Sequence, residues 1–292
     1  MPLGYGFTSY GGPEFQRFLD LPMPEPGPGE LLVEVHSAGV NPVDWKVREG
    51  KHRAFLPLTL PAVLGREVSG TVIRAGAGFA AGDRVCGPTV GGCGGYAEFA
   101  LLPAERVARM PTGLSFTDAS VLPIAAGTAY DALETLHLEP GESLLILGAG
   151  GGVGTVAAQL AVMRGIEVAG TASATKHHYL QALGVVAYDH DQEPPRADAV
   201  LDLVGALDNV DGGRILSVAD PEVLAHHGAR PLKRNGDPGV LAVLTELVAN
   251  GKLDPGVRHV YPFAEAGDAL ALVEAGHVAG KVVVGLPTGP RH

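Results

Sequence analysis

Cysteine, basic residues and long apolar runs are all scarce in this sequence. Its 292 residues include only two cysteines, which are too few for a disulfide framework and predict a reducing, cytoplasmic setting. No apolar run reaches the roughly 18 residues of a membrane span, and the first residues lack the basic and apolar regions of a signal peptide. The net charge of −11 argues against nucleic acid or an anionic membrane as a partner.

Apolar residues and glycine, by contrast, are abundant. Hydrophobic residues make up 46% of the chain, which is enough for a large core, and the 42 glycines and 23 prolines predict a turn-rich fold. The length fits two domains better than one. We therefore expect a globular, two-domain chain.

The first third of the chain is predicted to be rich in β-strands. Apolar and polar residues alternate over residues 31–36, 67–73 and 96–101, with glycine-rich turns between them. Such short strands predict a barrel or a distorted sheet. A helical pattern then runs over residues 114–139.

From residue 143 onward, strands alternate with helices, which predicts a doubly wound parallel sheet covered on both faces, and thus an α/β fold. The predicted strands are residues 143–148, 166–171, 199–204 and 214–218, and the helices are 153–164, 176–183 and 240–249. A strand at 258–263, a helix at 264–275 and a strand at 281–286 complete the chain. The connection 202–213 is too short for a standard crossover helix, so we expect one short turn of helix there.

A glycine-rich turn between the strand at 143–148 and the next helix predicts a dinucleotide site. Glycine lets the backbone approach a diphosphate, and the helix directs its free N–H groups at that anion. The strict glycine fingerprint is not met, because Ala149 takes its first position. The candidate cofactor-binding residues are Ala149, Gly150, Gly151, Gly152, Val153 and Gly154.

The end of the following strand favours NADP(H) over NAD(H). The acidic residue that usually binds the ribose 2′-OH of NAD is absent between residues 168 and 176. Ser173 can donate to a 2′-phosphate, and Lys176 can supply a cation. The alternative is that Ser173 caps the next helix and Lys176 is solvated.

Several segments together resemble one family. They are Gly39-Val40-Asn41-Pro42-Val43-Asp44-Trp45-Lys46, Leu64-Gly65-Arg66-Glu67-Val68-Ser69-Gly70-Thr71-Val72, Gly82-Asp83-Arg84-Val85, Gly127-Thr128-Ala129-Tyr130 and Ala275-Gly276-His277-Val278-Ala279-Gly280-Lys281-Val282-Val283. They are similar to the medium-chain dehydrogenase/reductase superfamily, in its zinc-free quinone oxidoreductase branch.

The resemblance implies a GroES-like β-barrel catalytic domain at residues 1–113 and 257–292, with a Rossmann domain inserted at 114–256. It also implies NADP(H) in the cleft between them, and family members often dimerise through the Rossmann domain. The short 202–213 connection puts that dimer edge in question. Where zinc members carry a histidine, this chain has Arg66, which cannot ligate a metal, so we expect no zinc.

The candidate catalytic residues lie in the first of these segments. The Asn41 amide could hold the nicotinamide ribose or the acceptor oxygen, Asp44 could orient Lys46 or a water, and Lys46 could donate to an oxyanion. The alternatives are a backbone turn at Asn41 and an exposed ion pair of Asp44 with Lys46. Further cofactor contacts are expected from Thr128 and, at the ends of sheet strands, from Val204, Gly205 and Val218.

These features predict an NADPH-dependent reductase of quinones or α,β-unsaturated carbonyls. Hydride addition to a conjugated acceptor spreads charge into an enolate or phenolate, which needs positioning and hydrogen-bond donors but no metal. Two alternatives stay open. One is an enoyl reductase acting on a polyketide-like biosynthetic intermediate, and the other is a non-catalytic NADPH-binding sensor.

Overall fold

The computed structural model describes residues 1–208, 210–218, 224, 228–276, 278–287 and 289. The strands in these residues are β1 Leu3–Phe7, β2 Gln16–Asp20, β3 Glu30–Val40, β4 Ala62–Val63, β5 Glu67–Val72, β6 Arg84–Pro88, β7 Phe99–Pro103, β8 Ala108–Arg109, β9 Ser143–Leu147, β10 Glu167–Thr171, β11 Val186–Tyr188, β12 Ala197–Asp202, β13 Gly212–Ser217, β14 Arg230–Pro231, β15 Val257–Pro262 and β16 Lys281–Gly285. The helices are α1 Pro42–Arg48, α2 Phe116–Ala119, α3 Gly127–Leu136, α4 Gly152–Met163, α5 His177–Ala182, α6 Pro238–Ala249 and α7 Ala266–Glu274.

The N-terminal strands and the C-terminal tail form one unit. A seven-stranded sheet has the order β15-β16-β3-β5-β6-β8, with β7 paired to β3, and a three-stranded sheet has the order β2-β1-β4. Strand β16 pairs antiparallel with β3, so the tail returns to the first part of the chain. Helix α7 closes this core with Ala266, Ala269 and Leu270, and Arg48 of α1 holds Glu274 of α7 through two hydrogen bonds.

The second unit is a parallel sheet in the order β11-β10-β9-β12-β13-β14. Alternate residues of β9 point to opposite faces. Leu144 and Ile146 join the large core beneath α3, α4 and α6, whereas Leu145 and Leu147 join a small cluster on the other face. The expected combination of a GroES-like sheet unit with a Rossmann-like parallel sheet is confirmed.

The connection between β12 and β13 contains no helix in the residues that are described, and Asn209 lies outside them. The expected helical turn is therefore not seen at residues 203–208, 210 and 211. The Asp202 carboxylate organises this segment instead, because its Oδ1 accepts from the N–H groups of Val204 (3.1 Å), Gly205 (2.8 Å) and Ala206 (3.3 Å). A short polar side chain thus replaces helical hydrogen bonds in turning the chain.

The continuous helix expected at residues 114–139 is wrong. The chain forms α2, then a π-helical turn at Leu122–Ala126, then α3. Pro123 has no N–H to donate, and the N–H of Ile124 donates to Glu67 Oε2 (2.7 Å) instead of to a helical carbonyl. The break therefore joins this helical segment to β5 of the barrel.

Three further differences concern short elements. Strands β1, β2, β4, β6 and β8 are additional to the predicted barrel strands, and the segment after Asn41, for which no element was predicted, is helix α1. The strand expected at 96–101 begins at Phe99. None of the described helices is both long and apolar enough to cross a bilayer.

Candidate active site

The predicted glycine-rich turn lies between β9 and α4. Gly148 has a φ of 85°, which favours glycine, and Gly151 immediately precedes α4. A β-carbon on Gly154 would lie 2.5 Å from the Gly148 carbonyl oxygen and 2.7 Å from Ala149 Cα. The Ala149 side chain is buried, whereas the N–H groups of residues 152–154 have no acceptor within the helix. The turn therefore fits a diphosphate.

A cavity of about 490 Å³ opens at the carboxyl ends of β9 and β10. Leu147 and Thr171, which end β9 and β10, line it with the loop that follows β11. Its volume lies in the range of small-molecule and cofactor sites, and ligands of open parallel sheets bind at the carboxyl ends of strands. Asp191 and Glu193 also line the cavity, so a cation for a 2′-phosphate has to come from elsewhere.

Ser173 and Lys176 lie after the end of β10, on the border of the glycine-rich turn. The Ser173 hydroxyl lies 3.3 Å from the Thr175 hydroxyl. Lys176 covers Gly150 and donates from Nζ to the Val278 carbonyl oxygen (2.9 Å). Burial lowers the pKa of Lys176. A 2′-phosphate would therefore compete with a backbone carbonyl for this ammonium group.

The remaining predicted cofactor residues lie in two places. Val204 and Val218 follow β12 and β13, and their side chains are 59% and 43% exposed, although they are apolar. Gly205 lies in the turn held by Asp202. Thr128, on α3, donates to the Ile124 carbonyl oxygen (2.5 Å) and accepts from Arg234 (2.7 Å), so its hydroxyl is bound within the protein.

Asn41 lies in a buried polar cluster, which we define as Asn41, Asp44, Glu67, Tyr96 and Lys281. Asn41 Nδ2 donates to Glu67 Oε1 (2.8 Å), and Lys281 Nζ donates to Asn41 Oδ1 (2.6 Å) and to Glu67 Oε1 (3.0 Å). The backbone N–H of Asn41 and the Tyr96 hydroxyl both donate to Asp44 Oδ2, at 2.8 and 2.7 Å. These bonds fix the orientation of the Asn41 amide.

Asp44 has an unusual environment within this cluster. Its side chain is buried, and Oδ1 has no hydrogen-bond partner in the described structure. Burial raises the pKa of Asp44 to about 6, against the opposing effects of the Tyr96 and Asn41 hydrogen bonds and of the Lys281 and Arg66 charges. Asp44 can therefore carry a proton near neutral pH.

Lys46 does not join the cluster. Its ammonium group lies 5.6 Å from the centre of the Trp45 ring. The structure thus brings Asn41 and Asp44 together and separates Lys46 from them. Glu67, Tyr96 and Lys281 were not among the predicted site residues. Glu67 and Lys281 belong to segments that resemble the family, and their charges within apolar strands are the feature that could have pointed to them.

Arg234 and Asp202 were also missed. Arg234 donates to Asp131 (2.8 Å), to the carbonyl oxygens of Pro123 and Ile124, and to Thr128. Arg234 lies in a loop without any periodic pattern, so the sequence gives no indication that it binds Asp131 and the helical segment.

The donor set does not fit a catalytic zinc ion. Arg66 stands where zinc members have a histidine ligand, and its guanidinium cannot coordinate a metal. Burial raises the pKa of the Cys93 thiol to about 11, although a thiolate is the form that binds zinc. Among the described residues, no group of three or more histidine, cysteine, aspartate or glutamate side chains could hold a metal ion.

Comparison with known proteins identifies the family. The GroES-like domain of alcohol dehydrogenases matches residues 27–112, and the zinc-binding dehydrogenase domain matches residues 182–284. A 2-methylene-furan-3-one reductase of Solanum lycopersicum is 32% identical over 96% of this chain and 78% of its own. An NADPH-dependent alkenal/one oxidoreductase of Arabidopsis thaliana, a chloroplastic protein, is 32% identical over 95% of this chain and 78% of its own.

Solved structures agree with this result. The quinone oxidoreductase from Coxiella burnetii superimposes with a TM-score of 0.90 at 31% identity, over 98% of this chain and 99% of that one. The chain therefore belongs to the medium-chain dehydrogenase/reductase superfamily, in its quinone oxidoreductase-like branch.

Proposed function

We propose that this protein is an oxidoreductase that binds NADP(H) and reduces quinones or α,β-unsaturated carbonyls without zinc. One observation carries the proposal. The stem of Lys281 passes against Gly152 in the glycine-rich turn, while its ammonium group bonds Asn41 and Glu67. The diphosphate turn and the buried polar cluster are thus within one lysine side chain of each other.

The cofactor is held by the turn and by the residues around it. The free N–H groups of residues 152–154 bind the diphosphate, and Ser173 and Lys176 bind the 2′-phosphate. The exposed side chains of Val204 and Val218 cover the nicotinamide half and exclude water. When bound, the reduced nicotinamide supplies a hydride.

The names of the relatives support the same activity. The alkenal/one oxidoreductase is NADPH-dependent by name, and the Coxiella burnetii structure is that of a quinone oxidoreductase. The acceptors in both names are conjugated carbonyl compounds, in which the negative charge after hydride addition is delocalised onto oxygen.

Domain limits belong to this proposal as well. We place the catalytic domain at residues 1–113 and 257–292 and the cofactor domain at 114–256. Two separate cores support these limits, since one contains barrel residues up to Val107 and again from Phe263, and the other runs mainly from Ala108 to Leu253. A homodimer and a cytoplasmic location stay predictions, which sedimentation and cell fractionation would test.

The test is consumption of NADPH, followed by absorbance, with 1,2-naphthoquinone and with methyl vinyl ketone. We expect turnover with both acceptors, a preference for NADPH over NADH, and no loss of activity after dialysis against a chelator. Turnover restricted to an enoyl thioester would favour the enoyl reductase. Binding of NADPH without turnover of any acceptor would favour the sensor.

The Lys176→Met variant tests the cofactor preference separately. We expect its preference for NADPH over NADH to fall at least about tenfold, because a charge-assisted bond to the 2′-phosphate is removed. Lys252→Met is the matched control, since Lys252 is exposed after the end of α6. An unchanged preference in Lys176→Met would contradict the assigned role.

A further inference from the structure

Arg66 lies directly before β5 and is only partly exposed, yet its guanidinium has no hydrogen-bond or ion-pair partner in the described part of the chain. Other enclosed arginines differ in this respect. Arg48 holds Glu274, and Arg234 holds Asp131. A partly desolvated guanidinium without a partner is unfavourable, so such groups are concentrated at binding and catalytic sites.

The surroundings of Arg66 belong to the site described above. The next residue is Glu67, whose carboxylate bonds Asn41 and Lys281. The guanidinium lies against the loop at residues 90–94, where a β-carbon on Gly92 would be 2.9 Å from Arg66 Nη2. The positive charge of Arg66 also acts on the buried carboxyl group of Asp44, although the two groups form no ion pair.

Lys281 connects the cofactor turn to the residue that follows Arg66. The Lys281 stem contacts the turn at Gly152, and its head bonds Glu67, the immediate neighbour of Arg66. Arg66 is partly exposed and directly precedes Glu67 of the buried polar cluster, in the segment that resembles the metal-ligand segment of zinc members. A fixed positive charge occupies this place in a chain whose net charge is −11.

We propose that Arg66 binds the carbonyl oxygen of the acceptor and stabilises the negative charge that develops on it. This inference rests on the proposed function and extends it to the acceptor side of the site. Two parallel N–H groups of a guanidinium suit an enolate or phenolate oxygen, and such donors act most strongly where water is excluded.

The redox step balances with a reduced nicotinamide dinucleotide as the reductant. Its hydride forms a new C–H bond at the β-carbon of an enone, and the two electrons of the C=C π-bond shift so that the carbonyl oxygen becomes an enolate oxygen. The dinucleotide is oxidised, and a proton from water then adds to the α-carbon. With a quinone, the hydride supplies both electrons and one hydrogen, and one proton from water completes the hydroquinone.

The acceptors that Arg66 can serve belong to one chemical class, the conjugated carbonyl compounds. They must present an oxygen that becomes anionic on reduction, within reach of Arg66. An unconjugated alkene of similar size is not reduced, because it has no oxygen to receive the charge.

The first test measures binding without turnover, with 4-nitrophenol as a coloured analogue of the phenolate product. We expect the wild-type protein to lower the pKa of bound 4-nitrophenol by about one unit or more, because a guanidinium stabilises the anion. Arg66→Gln should abolish this shift. Arg74→Gln, which removes an exposed arginine from the barrel surface, should keep it. An equal shift in Arg66→Gln, or no shift in the wild-type protein, would overturn the inference.

The second test is turnover with 1,2-naphthoquinone. We expect Arg66→Gln to lower kcat about 100-fold or more, as removal of an oxyanion donor does, with NADPH affinity unchanged. Arg66→Lys should retain part of the activity, and added methylguanidine should restore part of it to Arg66→Ala. An unchanged kcat in Arg66→Gln would overturn the inference. A wild-type protein that shifts 4-nitrophenol but turns over no acceptor would refute the proposed function instead and leave the anion site standing.

Discussion

Lys281 Nζ lies 3.0 Å from Glu67 Oε1, and the two side chains are only 5% and 0% exposed. The ion pair connects β16, near the end of the chain, to β5 in the first part. Lys281 also donates to the Asn41 side chain, so the same ammonium group that neutralises Glu67 orients the amide beside it. Removal of the Lys281 or the Glu67 charge would leave the other charge buried without a counter-ion.

We therefore expect Lys281→Met to destabilise the protein by about 3–5 kcal/mol, since Glu67 would lose its counter-charge in the core. Urea unfolding followed by circular dichroism measures the loss. Lys252→Met, at an exposed position, should change the free energy of unfolding by less than about 0.5 kcal/mol. Equal stability of the two variants would show that the buried ion pair does not hold the tail to the barrel.

Asp44 gives the stability a specific pH dependence. Its pKa is raised from 3.8 to about 6 in the folded protein, so its contribution is fully present below pH 3.8 and is lost as the pH rises through about 6. Relative to Asp44→Asn, the free energy of unfolding of the wild-type protein should fall by about 3 kcal/mol over this window. Urea titrations at a series of pH values measure the difference. A difference between the wild-type protein and Asp44→Asn that does not change with pH would contradict the raised pKa of Asp44.

The close contact of α4 with the turn predicts a loss of cofactor affinity in Gly154→Ala. The added methyl group would meet the backbone at Gly148 and Ala149, so the helix must move away from the turn. We expect NADPH to bind at least about tenfold more weakly, with a destabilisation of about 1–3 kcal/mol. Calorimetric titration measures the affinity. Gly76→Ala, which meets open space, is the control, and equal affinities in both variants would rule out this geometry.

Arg234 should be required for the packing of the helical break. Arg234→Met removes the donor to the Pro123 and Ile124 carbonyl oxygens and leaves Asp131, which is 6% exposed, without its cation. We expect a loss of about 2–4 kcal/mol in the free energy of unfolding. Lys233→Met, at the exposed neighbouring position, should be nearly neutral. An unfolding midpoint in urea that is the same for Arg234→Met as for Lys233→Met would contradict this role of Arg234.

The parts of the fold that follow from local patterns could be predicted from the sequence. Strand β9, the glycine-rich turn and α4 were found where an apolar run, glycines and a second apolar run succeed one another. The break at residues 122–126 could not, because it depends on Glu67 and Arg234, which are distant in the chain. A helical pattern in that segment contains no information about either partner.

In the candidate site, too, the features set by neighbouring residues could be predicted and those set by distant residues could not. Asn41 and Asp44 could be named because they lie three residues apart in a recognisable segment. The role of Lys281 could not, since its bonds to Asn41 and Glu67 join residues more than 200 positions apart in the chain. Lys46 was a further candidate in the same segment, yet its ammonium group lies near the Trp45 ring and not in the buried polar cluster.

Hydride transfer from a dinucleotide held at the turn between β9 and α4 is the central claim, and isotopic labelling tests it most directly. The protein would be mixed with methyl vinyl ketone and NADPH carrying deuterium at the transferring position of nicotinamide C4, and the product analysed by NMR. We expect the deuterium on the β-carbon of the saturated ketone. Oxidation of the cofactor that leaves no deuterium in the ketone, or a saturated ketone whose β-hydrogen comes from solvent, would contradict the claim.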